Sequence, residues 1–355
     1  MINNDIYKED LEYIASLDLP WEKLEGAQLM ISGATGMLGT LLVDAIMYKN
    51  EKDNLGCYVL AMGRDSDKAF ERFADHAENE FFEFYEQDVT RPMTGMPGMN
   101  YPLYIVHMAS NTHPRAYAKD PIGTITTNIL GTYDLLEYAT DPLHDGKCRF
   151  CLVSSNEIYG ENRGDTELFD ESYCGYIDCN TLRAGYPESK RCSESLCQAY
   201  ISQNKADAVI ARLTRSYGPT LLPDDSKAMT QFLKNAVAGE DIVLKSKGDQ
   251  YYSYTYAADA VAGLLTVLLL GECGKAYNVA DTPSDITLKE LAELIAGHEG
   301  KKVVFDIPDS EEAAGFSKAT KARLDGSAIK SLGWSMHYDI KTGIDRTLRV
   351  LKENG

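Results

Sequence analysis

Runs of lysine and arginine are missing from this chain of 355 residues. Its 35 basic residues face 54 acidic ones, for a formal net charge of -19. No stripe of charge is available to track a phosphate backbone, which argues against a nucleic-acid partner. Apolar runs of the roughly 18 to 20 residues needed to span a bilayer are also missing. Acids stand near the N-terminus where a secretory leader carries bases, so a cytoplasmic protein without a membrane span is expected. The eight cysteines do not form a disulfide framework in a chain this long. Cys148 and Cys151 are spaced Cys-x-x-Cys, but they lie on an apolar strand start and no second pair sits at zinc-site spacing. Both read as buried thiols, and no metal is expected. The reactivity of Cys174 and Cys179 stays open. Internal repeats and low-complexity linkers are lacking, and the glycines and prolines from Met93 to Pro102 read as one surface loop. What remains is a globular composition, long enough for one large α/β unit or two lobes.

A helical pattern (Leu11, Ile14, Leu17) precedes anything chemical. A short apolar strand over 28–32 then runs into Gly33-Ala34-Thr35-Gly36-Met37-Leu38-Gly39 and a helix over 40–48. In this strand-turn-helix the first glycines let the backbone turn tightly and approach a pyrophosphate. The last lets helix and strand pack closely, with the helix N-terminus facing the anion. Further strands are expected over 58–62, 82–87, 104–108 and 208–213. The second ends in Gly63-Arg64-Asp65-Ser66-Asp67-Lys68. An acid there binds the ribose hydroxyls of NAD and an arginine accommodates the extra phosphate of NADP; Asp65 fits the first and Arg64 with Lys68 the second. His107 and His113 are lone histidines and read as structural. Asp259 fits an N-cap for an apolar helix over 260–270.

The stretch from Val153 to Lys190 opens with Val-Ser-Ser-Asn-Glu and closes with Tyr186-Pro187-Glu188-Ser189-Lys190. Pro187 suits a first helical position, which puts Tyr186 and Lys190 at i and i+4 on one helix face. An ammonium near a phenol favours the phenolate, so Tyr186 is expected to titrate below its usual value of about 10 and act as general base. The Ser155 hydroxyl shares the proton and holds a substrate alcohol. Spacing alone is weak evidence, because Tyr48 and Lys52 repeat it at the end of an ordinary amphipathic helix.

The glycine-rich turn, followed by Ser-Ser-x-Glu and then Tyr-x-x-x-Lys, resembles the extended short-chain dehydrogenase/reductase family, and within it the nucleotide-sugar epimerases, dehydratases and decarboxylases. The resemblance covers Gly33 to Trp334. It implies an α/β fold with a Rossmann-type doubly wound parallel sheet and a smaller mixed α/β C-terminal substrate lobe. Residues 1–216 plus 251–282 would form the dinucleotide-binding domain, and 217–250 plus 283–355 the nucleotide-sugar lobe. It implies tightly bound NAD or NADP held by Gly33, Thr35, Gly36, Met37, Leu38, Gly39, Arg64, Asp88, Val89, Ala109, Ser110, Asn128, Tyr186 and Lys190. A homodimer through helices near 121–139 and 186–203 is also implied. Substrate would meet Asn111, Asn156, Arg215, Tyr252 and Arg323. Arg215 stands where relatives carry an asparagine, and Tyr252 where they carry a diphosphate-binding arginine, so Arg215 is expected to supply that charge. Base recognition falls to loops near 221–229. The implied reaction passes through a 4-keto sugar. Glu157 as a C5 base favours a nucleotide-hexose 4,6-dehydratase. Asn156 weakens that reading, because an amide cannot protonate a departing hydroxyl. The segment from Tyr173 to Tyr186, with Arg183, resembles UDP-glucuronate decarboxylases. A C4 epimerase, a reductase and a non-catalytic dinucleotide-binding protein complete the alternatives.

Overall fold

A strand buried along its whole length needs a layer on both faces, and the central strands of this chain are of that kind. The structure is a computed structural model describing residues 1–94, 96, 101–112, 114–307 and 321–354. The chain opens with α1 (Asp5–Ala15), capped by the Asn4 side chain, which accepts from the Tyr7 N–H. It continues through β1 (Gln28–Ser32), α2 (Met37–Asp53), β2 (Tyr58–Gly63), α3 (Ser66–Arg72), β3 (Phe82–Glu86) and β4 (Leu103–His107). There follow α4 (Pro114–Lys119), α5 (Pro121–Ala139), β5 (Cys148–Ser155), α6 (Gly185–Asn204) and β6 (Asp207–Leu213). The remainder comprises β7 (Arg215–Tyr217), α7 (Ala228–Val237), β8 (Ile242–Leu244), β9 (Tyr251–Tyr256), α8 (Ala257–Leu270), β10 (Ala276–Val279) and β11 (Asp285–Thr287). It closes with α9 (Leu288–His298), β12 (Val303–Phe305), β13 (Lys321–Ala322), α10 (Ser327–Lys330) and α11 (Ile340–Asn354).

Seven strands form one parallel sheet in the order β10-β6-β5-β4-β1-β2-β3. Strand order reverses between β1 and β4, and loops leaving neighbouring strand ends part there to open a crevice. Helices α1, α2 and α8 cover one face, and α5 and α6 the other. The doubly wound α/β fold expected from the sequence is therefore present. A second sheet of β11, β9 and β13, with β7 also paired to β9, forms the smaller lobe, where β8 and β12 make a separate pair. Strand β9 belongs to this second sheet, although the helix that follows it, α8, packs on the first.

Three local expectations are corrected. Helix α2 begins at Met37 and runs to Asp53, because Gly36 already serves as its N-cap. Helix α6 begins at Gly185, so Pro187 lies inside the first turn, where its missing N–H costs no hydrogen bond. Asp259 does not cap α8, which starts two residues earlier. Its carboxylate instead accepts from the backbone N–H groups of His337 and Tyr338 at 2.8 and 2.9 Å and from the Tyr13 hydroxyl at 2.9 Å. One buried acid thus ties α1, α8 and the segment before α11 together. Replacing Asp259 with alanine strands two backbone donors and is expected to lower stability by about 2–4 kcal/mol. Urea unfolding measures this; a loss below about 0.5 kcal/mol, within the ordinary range of surface substitutions, would show that the three elements are held together by other contacts.

Candidate active site

At the strand-order reversal two glycines stand where the backbone leaves no room for a side chain. Gly33 has a φ of 72°, and a Cβ there would lie 2.8 Å from the backbone of Ala109 at the end of β4. A Cβ on Gly39 would lie 2.5 Å from the Gly33 carbonyl oxygen. The turn is therefore pressed between β4 and the first turn of α2. Gly36 caps α2 without a side chain, which leaves the helix's leading N–H groups directed at any anion in the crevice. Ser32 fixes the two loops together: its hydroxyl accepts from the Ala109 N–H at 3.3 Å and bonds His107 Nδ1 at 2.7 Å. Burial and the Lys190 charge push the His107 imidazole down to about 3, so it is a neutral structural group, as expected; His113 lies outside the described residues.

The other predicted cradle residues surround this turn. The Thr35 hydroxyl lies 3.8 Å from where a Gly63 Cβ would stand, placing the turn beside the end of β2. Val89 packs under α5 at Gly131, where a Cβ would meet it at 2.8 Å. Asp88 accepts two hydrogen bonds from Thr90 at 2.9 Å. Burial raises its carboxyl, but those bonds with Arg64 and Arg91 outweigh burial and hold it below the usual carboxylate range. Ser110 donates to the Asn111 carbonyl, and the Asn111 amide donates to Thr124 of α5 at 3.0 Å.

Strand β5 delivers Ser155 to the same crevice, and α6 delivers Tyr186 and Lys190 on one face. The Ser155 hydroxyl accepts from the Glu157 N–H at 3.2 Å and so starts the turn over 156–159. Lys190 is buried and donates to the Val153 carbonyl at 2.9 Å. Burial lowers its ammonium to about 8, against the opposing charge of Glu194. Tyr186 departs from expectation. Burial, and then the Glu157 charge, raise its phenol well above the usual value, while Ser155 and Arg183 oppose them. Asn128, buried on α5, donates to the Ser189 hydroxyl at 2.8 Å, beside Lys190, and its backbone carbonyl accepts from Ser193 at 2.9 Å. Its Oδ1 has no partner among the described residues.

Two further residues complete the centre. Arg183 donates to Glu157 Oε1 at 2.6 Å, its guanidinium lies 5.0 Å from the Tyr117 ring, and Tyr117 stacks on Tyr186 at 5.0 Å. Arg183 Nη1 is buried without a hydrogen-bond partner among the described residues. Sequence reasoning missed Tyr117, because a lone tyrosine on a short helix has no spacing to mark it. Asn156 is buried and meets Ser155 at 3.5 Å.

The residues expected at the substrate end divide into two groups. Arg215 on β7 lies 3.5 Å from the ring centroid of Tyr252, and its buried Nη1 lacks a hydrogen-bond partner among the described residues. Register pairs Arg215 with Tyr254, so residues 215, 252 and 254 share one face. Ala322 pairs with Tyr252, so Arg323 at the next position points to the opposite face. There it packs on Tyr251 and pairs with Glu167 at 2.9 Å and Asp285 at 3.8 Å. Arg323 thus links the small sheet to the loop after β5, and its Nε is buried without a hydrogen-bond partner among the described residues.

A phosphate cradle at the order reversal of a parallel sheet, with serine, tyrosine and lysine at its mouth, defines an enzyme that performs redox chemistry with a nicotinamide dinucleotide. A family model described as NAD dependent epimerase/dehydratase family matches residues 29–280, and the chain belongs to that family. It is 30% identical over 325 residues to UDP-glucuronic acid decarboxylase 3 of Arabidopsis thaliana, covering 89% of this chain and 86% of that protein. It is 26% identical to UDP-glucuronic acid decarboxylase 1 of Xenopus tropicalis, covering 92% and 72%. Among solved structures it shares its fold with DesIV, a dTDP-glucose 4,6-dehydratase from Streptomyces venezuelae with NAD and TYD bound (TM-score 0.77, 23% identity, 92% and 97% covered). A UDP-glucuronic acid 4-epimerase from Bacillus cereus in complex with UDP-glucuronic acid and NAD is also similar (TM-score 0.76, 19% identity, 92% and 100% covered).

The glycine-rich turn and the start of α2, where the N-cap Gly36 brings no side chain, fit a dinucleotide pyrophosphate, and Tyr186 and Lys190 would meet the nicotinamide end. Substituting Tyr186 with phenylalanine is expected to cut turnover by about 10²–10⁴ with the fold intact, as circular dichroism and a turnover assay would show. Lys190 acts as an ammonium ion, and raising the pH through about 8 removes that charge. Turnover should fall on the alkaline side near that value, and a rate that is flat to pH 10 would exclude Lys190 as the titrating group.

Proposed function

We propose that the protein decarboxylates a nucleotide-linked uronic acid through a transient ketone at the neighbouring ring carbon. The observation that carries this reading is the Arg183 guanidinium beside Tyr186, with Nη2 on Glu157 and Nη1 buried and unpartnered. A buried donor without a partner is costly, and a sugar carboxylate would satisfy it with a charge-assisted bond. The curated relatives, UDP-glucuronic acid decarboxylases by name, support the same substrate class. Tyr186 takes the proton of the C4 hydroxyl, with Ser155 holding that oxygen. A nicotinamide held by the glycine turn and Lys190 would supply the acceptor and donor of the C4 hydride. With a ketone at C4, the substrate is a β-keto acid. The bond from C5 to the carboxylate breaks, its electron pair moves into the C4 enolate, carbon dioxide leaves, and C5 takes up a proton. Arg183 orients the departing carboxylate, and Arg215, stacked on Tyr252, faces the diphosphate. Glu157 favours a second reading, 4,6-dehydration, in which it is the C5 base; its ion pair with Arg183 makes it the less available base of the two arrangements.

Mass spectrometry of reactions with UDP-, dTDP-, GDP- and CDP-linked hexoses and hexuronates tests this. Loss of carbon dioxide from a uronate is expected; loss of water from a neutral hexose would establish the dehydratase instead. Arg183→Ala should raise KM for the uronate about 10–100-fold, the cost of one charge-assisted bond.

We also propose that the chain forms a homodimer through α5. Ile122, Ile125, Leu130 and Tyr133 are exposed on that helix, and burying such a face stabilises association. Light scattering should give twice the chain mass, reduced to one chain by Tyr133→Glu.

A further inference from the structure

We infer that Glu194 is a positioning residue for the proton-transfer centre: it supplies the counter-charge to the buried Lys190 ammonium and anchors the strand end that carries Ser155. The inference rests on the Ser155, Tyr186 and Lys190 centre and not on which sugar that centre oxidises. Glu194 follows Lys190 by one turn of α6, so the two side chains lie on one helix face. Phe150 and Leu152 of β5 pack beneath α5 and α6, and alternation turns Ser154 to the same side. Helix and strand end then meet twice. Lys190 donates to the Val153 carbonyl at 2.9 Å, and the buried Ser154 hydroxyl donates to Glu194 Oε1 at 2.6 Å. Arg212 of β6 grips both carboxylate oxygens, Nε on Oε1 at 3.0 Å and Nη2 on Oε2 at 2.7 Å. The carboxylate therefore has one position, with Ser155 next in the chain to its Ser154 partner. A buried ion pair adds little net stability and can be replaced by apolar groups. An apolar residue at 194 could not supply a negative charge one turn from Lys190. Burial lowers that ammonium to about 8, and Glu194, then Cys197, act against burial. The remaining titratable neighbours are uncharged at neutral pH. Burial pushes up the Cys197 and Cys151 thiols and the Tyr186 phenol and keeps His107 neutral, and α5 presents only the Asn128 amide beside Ser189. Without Glu194 the buried amine would lose its proton at neutral pH.

The test reads Lys190 directly and needs no substrate, so it stands apart from the sugar assignment. Heteronuclear NMR of the full chain labelled in lysine follows the ammonium through its titration, with the Lys190 signal assigned by its loss in Lys190→Met. Glu194→Gln keeps the shape and removes the charge. It is expected to lower the Lys190 midpoint by about one pH unit, and the alkaline limb of turnover should move with it. Glu194→Asp keeps the charge and should hold most of the midpoint. A midpoint unmoved by Glu194→Gln, or moved as far by Glu194→Asp, would overturn the counter-charge role. Ser154→Ala leaves both charges in place, and is expected to lower kcat about tenfold through misplacement of Ser155 without moving the midpoint; an unchanged kcat would overturn the anchoring role. Thermal melting checks the fold of each variant. Should an unpaired Arg212 keep Glu194→Gln from folding, Glu194→Gln with Arg212→Gln leaves no lone buried charge at the pair, and the same drop in the Lys190 midpoint is expected.

Discussion

A lysine ammonium buried beneath the crevice is the constraint around which this structure is arranged. Lys190 is 2% exposed, and a cation in that position is tolerated only where polar partners replace water. Its bond to the Val153 carbonyl fixes α6 against the end of β5, and Asn128 locks α5 to α6 through Ser189, next to Lys190, and Ser193, about one turn beyond it. The same packing places Tyr186 over Ser155. The cost appears in the titration of both groups: the ammonium is lowered to about 8 and the phenol is raised.

The remaining cations follow a simple division. Arg212 is fully engaged with Glu194, Tyr159 and the Glu171 carbonyl, joining β6 to α6 and to the loop after β5. Arg346 is likewise held by Asp10, Glu9 and the Ile6 carbonyl, joining the chain's two ends. Arg183, Arg215 and Arg323 each keep a buried nitrogen without a hydrogen-bond partner among the described residues. Buried donors are nearly always satisfied in native proteins, so orphaned guanidinium nitrogens are where a ligand that carries anionic groups at more than one place would be favoured. A nucleotide-linked uronic acid is such a ligand.

Strand alternation governs the small sheet. Arg215 lies on a strand paired to β9 and Arg323 directly follows another, yet only Arg215 shares a face with Tyr252. A shift of one position moves a side chain through the thickness of the sheet. Arg323 thereby meets Asp285, whose carboxyl burial pushes up to about 6 against the pull of Ser253 and Arg323, and through Glu167 the charge holds the lobe to the loop after β5.

The glycine turn, the order of strands and helices, and the Ser155, Tyr186 and Lys190 set were legible in the sequence, because each rests on local chemistry: a φ available to glycine, periodic burial, and the i, i+4 spacing of one helix. Their proximity to one another, the pairing of Arg215 with Tyr252, and the position of Tyr117 were not, because these residues lie far apart along the chain or have no repeat to mark them. The direction of the Tyr186 shift was misjudged from spacing alone, since burial is a property of the packed molecule and outweighed a neighbouring charge. By itself the sequence determined the fold and the chemistry of the cradle, which depend on contacts within a few residues. Only the tertiary structure decided which charges remain unpaired, because neutralisation depends on groups that folding brings together from distant segments.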